Sequence, residues 1–429
     1  MLSVSTALAR LQDGLGESFP DSPGTRIIDI AFPLNDAFDP LLWCGQQAQW
    51  PQFYWQQRNG DEELATLGAV KTFPSLDAAN RFLRQTGRQN LRIGGLNAFE
   101  PQQGSLVLPR LEWRRCGGRA VLRLVLHSDI SLREDAATAR AFLASLTTTQ
   151  ATPGAIPPLL SERHSSDYPQ WQAMIARATK AISAGEMDKV VLARATDLQF
   201  AAPLDAVSIM AASRRSNLNC FHFLMAFNAR QAFFGSTPER LWRRRGALLR
   251  TEALAGTVAN HQEDAKAQQL ADWLMKDDKN QRENMLVVED ICQRLQSEAS
   301  ALDVLPPQVV RLRKVQHLRR CIWTELAAPD DSRCLLQLQP TAAVAGLPRR
   351  AALAFIQRHE PFAREWYAGS AGYLSLAQSE FCVALRSAKV DHDTLRLYAG
   401  AGIVSGSDAQ QEWQEIDNKA AGLRSLLCP

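Results

Sequence analysis

The chain has 429 residues, 46% of them hydrophobic and 22% charged, with 48 basic and 45 acidic side chains for a formal charge of +3. So small a charge is too little to imply an electrostatic grip on nucleic acid, and no such partner is expected; the ordinary apolar content with near-zero net charge disfavours disorder. No apolar run approaches the roughly 20 residues that span a bilayer, and Arg10, Asp13 and Glu17 interrupt the N-terminus, so neither a membrane partner nor a secretory signal is expected.

Eight cysteines without a C-x-x-C pair read as reduced, mostly buried thiols of a cytoplasmic protein. In chain order, residues 119–126 (RAVLRLVL) alternate in period two, the mark of a strand with one buried face. Residues 132–146 have helical periodicity. The Pro-rich, polar stretch that follows reads as a connector over 147–167, separating an N-terminal segment, 1–146, from a block at 168–429. Residues 171–184 are helical and 187–194 (MDKVVLAR) form a strand. Residues 220–227 (CFHFLMAF) form another, and Gly235-Ser236-Thr237-Pro238-Glu239-Arg240 makes a turn. Residues 260–300 are helical for too long to be one helix, so a break is expected near 276–280, with 285–295 as the second helix. Residues 381–390 and 394–404 are strands joined by a polar turn at 391–393, a hairpin. Residues 412–427 close the chain as an amphipathic helix striped by Trp413, Ile416, Ala420, Leu423 and Leu427. Strands paired by short turns predict large antiparallel sheets covered by helices.

Familiar signatures are absent. There is no phosphate-binding loop, Gly400-Ala401-Gly402 lacks the third glycine of a dinucleotide fingerprint, and the seven histidines show no HExxH spacing. Four local features carry chemistry instead. Both faces of the 187–194 strand are apolar, so Lys189 is either a desolvated base or a strand-end cation snorkelling to water. Glu239 follows a turn and is either functional or an exposed loop carboxylate. Glu412, Glu415 and Lys419 share one stripe of the last helix, where carboxylates three apart can share a hard cation such as Mg²⁺, with Glu283 as a further ligand, or simply form solvated i,i+4 pairs. Arg386, among Cys382, Ala384, Ala388 and Val390, needs an anionic partner in the protein or a ligand. Together these point to a small, multiply anionic substrate with Mg²⁺.

The same residues, in order, resemble the motifs of chorismate-utilising enzymes: DKVVLAR around Lys189, GSTPE ending in Glu239, Glu252 to Thr257 (EALAGT), Glu283-Asn284-Met285, VQHL around His317, QPTAAV at 339–344, REWYAG at 364–369 and AGAGI at 399–403. The resemblance covers about 168–427 and implies an α+β fold of two large antiparallel sheets in a sandwich flanked by helices, with the N-terminal segment contributing to the shared sandwich. The N-terminal part, including 51–63 (PQFYWQQRNGDEE), further resembles the menaquinone-specific isochorismate synthase branch. The resemblance implies an isomerase that interconverts chorismate and isochorismate, with Lys189 as general base and Glu239 as general acid. It further implies Glu283 and Glu415 as Mg²⁺ ligands with Glu412 beside them, and Gly256, Thr257, Tyr367, Arg386, Gly402 and Lys419 as substrate-binding positions. A base working near neutral pH must release its proton more readily than a free lysine, and Arg194 is a candidate cationic neighbour. Many relatives carry a second glutamate where this chain has Asn280, which implies a thinner metal shell on that side. No glutaminase partner is expected. Rival readings are a siderophore-pathway isochorismate synthase, a salicylate synthase, and an inactive binding module with Arg243-Arg244-Arg245 as a basic handle; that triplet otherwise caps a hairpin edge.

Overall fold

Alternation decides how the strands are buried. In Phe221–Ala226 the side chains of Phe221, Phe223 and Met225 enter one core while Leu224 and Ala226 enter another, because successive residues of a strand point to opposite faces. The computed structural model describes residues 3–34 and 37–427, apart from the side chains of Cys116 and Ser300. Its strands form one hydrogen-bonded network with two wings. The long strand Gly104–Cys116 is the branch point: it pairs along Glu62–Phe73, and its two ends pair separately with Ile93–Asn97 and Arg119–Ser128.

From Glu62–Phe73 the first sheet runs through Gln52–Gln56, Phe221–Ala226, Gln231–Thr237, Ser387–Asp391, Thr394–Ile403 and Lys189–Phe200. From Ile93–Asn97 the second runs through Ser370–Leu374, Gln378–Val383, Arg240–Arg245, Leu248–Ala259 and Val315–Leu326. All these pairings are antiparallel, so the expected α+β architecture holds. One core, with Trp55 and Phe223 from the first sheet and Trp242, Phe381 and Ile322 from the second, lies between the wings. The other covers the outer face of the first sheet beneath helices Val4–Gly14, Pro40–Gly45, Leu132–Ala144 and Ala206–Ser216. Fully burying one such large apolar side chain contributes about 1.5–3 kcal/mol.

The helical periodicities resolve into Leu132–Ala144, Tyr168–Ser183 and Ala409–Leu427. The expected break falls between Asp264–Lys276 and Asp278–Leu295; Asp277 ends the first and caps the second, its carboxylate accepting from the Asn280 N–H at 3.0 Å. Within the expected connector, Leu159–His164 is a strand on Lys189–Phe200. Six cysteines (44, 220, 292, 321, 334 and 382) are free and mostly buried; Cys428 lies outside the described residues.

Two expectations are corrected. The single strand expected over 381–390 is two, Gln378–Val383 in the second sheet and Ser387–Asp391 in the first. The chain changes sheets at 384–386, where Arg386 adopts a φ of +46°, so Arg386 does not sit on a strand face. A crossover keeps the apolar alternation and therefore leaves no trace in it. The arginine triplet does end a hairpin, just before the turn at 246–247, but not at a sheet edge, because Arg240–Arg245 pairs on both sides, with Leu248–Ala259 and Gln378–Val383. Arg244 is buried, donating to both Asp331 oxygens at 2.9 and 2.6 Å.

Candidate active site

The two sheets exchange chain at adjacent points. Gln231–Thr237 leaves the first sheet for Arg240–Arg245 in the second through Pro238 and Glu239, and Gln378–Val383 returns to Ser387–Asp391 through Arg386. The crossovers are stitched by Val383 N–H to Glu239 C=O at 3.0 Å and Ser236 N–H to Arg386 C=O at 3.2 Å. Beside this seam lies a cavity of about 640 Å³ lined by Lys189, Glu239, Gly256, Thr257, Glu283, Tyr367, Arg386, Gly402, Glu412, Glu415 and Lys419. All eleven catalytic, substrate and metal positions that the resemblance implied therefore face one space.

Lys189 begins its strand and is 1% exposed, so it does not snorkel to water. Its Nζ donates to Glu283 Oε1 at 3.0 Å. A Cβ on Gly402 of the neighbouring strand would lie 3.0 Å from the Lys189 Cε, so the glycine gives the lysine its room. Arg194 is not its neighbour. That side chain packs over the Trp413 ring, 4.1 Å from its centroid, and pairs with Asp417, fastening the C-terminal helix to the sheet. Five residues on from Lys189, it has the opposite parity and points to the other face.

Glu239 is buried, not an exposed loop residue. Desolvation, reinforced by the Glu252 carboxylate, outweighs Lys189, Arg386 and Lys419 and pushes its carboxyl up to about 8, so it is protonated at neutral pH. Tyr367 stacks on Tyr398, with centroids 5.0 Å apart and planes at 8°; burial pushes its phenol up to about 12 and leaves it a neutral donor.

Arg386 finds a neutral partner. Its Nη2 lies 2.7 Å from His317 Nε2, and His317 Nδ1 lies 3.0 Å from Thr257 Oγ1. Arginine only donates, so Nε2 accepts and the neutral ring carries its proton on Nδ1. Burial, with Arg386 and Lys419 nearby, holds the imidazole well below its usual range, so it stays neutral. The positive charge of Arg386 thus remains uncancelled for an anion in the cavity. From the last helix, Lys419 reaches Glu415 at 2.6 Å and the Gly400 carbonyl at 3.0 Å. Glu412 is raised by burial and by the like charge of Glu415.

A cavity between two such sheets, with these side chains, agrees with comparisons to known proteins. Residues 95–428 match the family model for chorismate-binding enzymes. The chain is 66% identical over 428 residues to isochorismate synthase MenF of Escherichia coli K12, covering 100% of this chain and 99% of that one. It belongs to the chorismate-binding enzyme family. Isochorismate synthase MenF of Haemophilus influenzae is 40% identical over 393 residues, covering 91% of this chain and 90% of its own. The solved structure of the menaquinone-specific isochorismate synthase from Escherichia coli has a TM-score of 0.97 at 66% identity, covering 99% of this chain and 100% of that one. No described helix is long and apolar enough to cross a membrane.

Carboxylate oxygens on the cavity wall suit the metal this family resemblance implies. Glu283 and Glu415 each hold a lysine, and Glu412 stands near enough to Glu415 to feel its charge. Among the described residues no three acidic, His or Cys side chains enclose a metal by themselves. That set fits Mg²⁺, which keeps several waters and takes one or two carboxylates with oxygens from a substrate. Asn280 forms a structural link: its Oδ1 accepts from Thr257 N–H at 3.0 Å and its Nδ2 donates to Asp277 at 2.7 Å.

Sequence reasoning assigned no role to His317, Arg58 or Glu252, although all three stand inside the quoted stretches. Their partners come from distant parts of the chain and only folding joins them. Gly256 shows how tight this joint is. Its φ is +84°, and a Cβ there would meet the Asn280 carbonyl at 3.1 Å. Gly256→Ala should therefore destabilise the protein by about 1–2 kcal/mol and raise the KM, read by thermal melts and steady-state kinetics; an unchanged melt and KM would refute the joint.

Proposed function

We propose that the chain is an isochorismate synthase that reversibly isomerises chorismate to isochorismate for menaquinone synthesis, with Lys189 as base and Glu239 as acid. The observation that carries this reading is the pairing, in one cavity, of a buried lysine with a buried carboxyl that keeps its proton to about pH 8. Water adds at C2, the ring double bonds shift, and the C4 hydroxyl departs as water. Lys189 takes the proton from the attacking water and Glu239 gives one to the leaving hydroxyl, so atoms and charge balance and each group resets by exchange with solvent. The reactant and product are isomers with the same bond types, so the reaction runs both ways.

Arg386 and Lys419 supply positive charge to the substrate carboxylates, while Tyr367, Gly256, Thr257 and Gly402 shape the space for the ring. Glu283 and Glu415, with Glu412 direct or through water, would hold Mg²⁺, whose chemistry is to neutralise and orient the ring carboxylate. Ala255, also on the cavity wall, is a methyl group and cannot attack the ring, which leaves direct addition of water. In this reading residues 1–146, the 147–167 connector and the 168–429 block act as one unit. The free, mostly buried cysteines support a cytoplasmic setting.

The test is to incubate the purified chain with chorismate, Mg²⁺ and saturating ammonium and to separate the products. Isochorismate as the main product, chorismate reformed from isochorismate, and activity stopped by excess chelator and restored by Mg²⁺ are expected. An aminated product would overturn the choice of water, and dominant salicylate would move the chain to the pyruvate-releasing branch. Full activity in chelator would remove the metal.

A further inference from the structure

The crossover that carries Glu239 belongs to neither sheet ladder, yet all its peptide groups are held. Glu239 itself donates its N–H to Thr237 Oγ1 at 3.3 Å, and its C=O accepts from Val383. The groups on either side are held by a buried ion pair. Arg58 Nη1 donates to the Pro238 carbonyl at 2.8 Å, and the same guanidinium grips Glu252 through two bonds of 2.5 and 2.8 Å. Glu252 Oε1 in turn accepts the Arg240 N–H at 2.9 Å. The two side chains are 7% and 0% exposed, and the guanidinium lies over the Phe221 ring.

We propose that Arg58 and Glu252 are positioning residues that clamp the peptide units before and after Glu239 and so aim its carboxyl into the cavity. The proposal rests on Glu239 being the acid. Stability alone is a poor reason for such a pair, because a buried ion pair is often no more stabilising than apolar groups of the same volume. What apolar groups cannot do is accept one N–H and donate to one C=O at fixed points. Leaving those peptide groups bare in the interior would be unfavourable, and a misplacement of the order of 1 Å costs about 10²-fold in rate. Arg58 lies in the N-terminal segment, before the 168–427 block, so that segment reaches the peptide beside the acid. The charges facing Glu239 are Glu252, which favours its protonated form, and Lys189, Arg386 and Lys419, which oppose it.

The experiment compares Arg58→Lys, Glu252→Gln and Glu239→Gln with the wild type, measuring chorismate turnover against pH in the full chain. Arg58→Lys keeps the charge but not the two-pronged grip; Glu252→Gln keeps an acceptor but not the charge. Each should lower kcat at least about tenfold while KM stays within about threefold, the pattern of a lost transition-state alignment. In Glu252→Gln the alkaline limb of kcat/KM should also move to lower pH, because the carboxylate that helped Glu239 keep its proton is gone. Wild-type kcat in either variant, a loss confined to KM, or an unmoved limb would overturn the clamp. If Glu239→Gln is inactive while the other two work normally, the clamp fails alone; if Glu239→Gln is itself near normal, the acid assignment fails first. Should Glu252→Gln not fold with Arg58 unpaired, the double variant Arg58→Met/Glu252→Gln removes both charges together, and the same kcat loss is expected. Failure of every variant to fold would show a purely structural pair and overturn the proposal.

Discussion

Glu239→Gln should give a folded protein whose turnover of chorismate is down by at least about 10², the usual scale for a general acid. The substitution suits the site, because the carboxyl is already uncharged at neutral pH and glutamine replaces it without changing charge or volume. Only the transferable proton is lost. Substrate affinity should change little, and the thermal melt should match the wild type. The pH dependence provides a second check. A carboxyl raised to about 8 holds its proton through neutrality and loses it above, so wild-type kcat/KM should fall as pH rises past about 8. In Glu239→Gln the residual rate should lack that alkaline limb. Near-normal turnover, or an alkaline limb that survives the substitution, would remove Glu239 from the acid role.

Lys189 is tested by asking what its charge does. Lys189→Arg keeps a cation for Glu283 but cannot give up its proton near neutrality, and Lys189→Met keeps most of the volume without either. Both should lose at least about 10² in turnover if the amine takes a proton from water. If the lysine served only to neutralise Glu283, to which it is bonded at 3.0 Å, Lys189→Arg would retain most of the activity while Lys189→Met would not. That result would end the assignment as base. Circular dichroism and a melt control for the buried position, where loss of a hydrogen-bonded cation also costs stability.

Local physics made much of the protein legible before folding was considered. Period-two alternation marked Arg119–Ser128, Phe221–Ala226 and Thr394–Ile403 as strands, and a helical stretch too long for one helix placed a break near 276–280, where Asp277 caps the second helix. The Glu412–Glu415–Lys419 stripe was readable because helical spacing alone puts those residues on one face. The family resemblance picked out eleven residues, seven of them inside the quoted motifs, and all eleven line one cavity.

Tertiary structure decided the rest. Whether Lys189 was buried or snorkelled depended on Gly402, from a strand more than two hundred residues away. The two crossovers that bring Glu239 and Arg386 side by side left no mark in the alternation, because a chain can change sheets without changing which side chains are apolar. Arg194 is no neighbour of Lys189, since strand parity turns it to the other face, where Asp417 of the C-terminal helix pairs with it. Likewise His317 and the Arg58–Glu252 pair gained their meaning only from groups far off in the chain. Periodicity and motif report what one segment dictates for itself; charge state and aim are set by neighbours that only the packed sheets bring within a few ångströms.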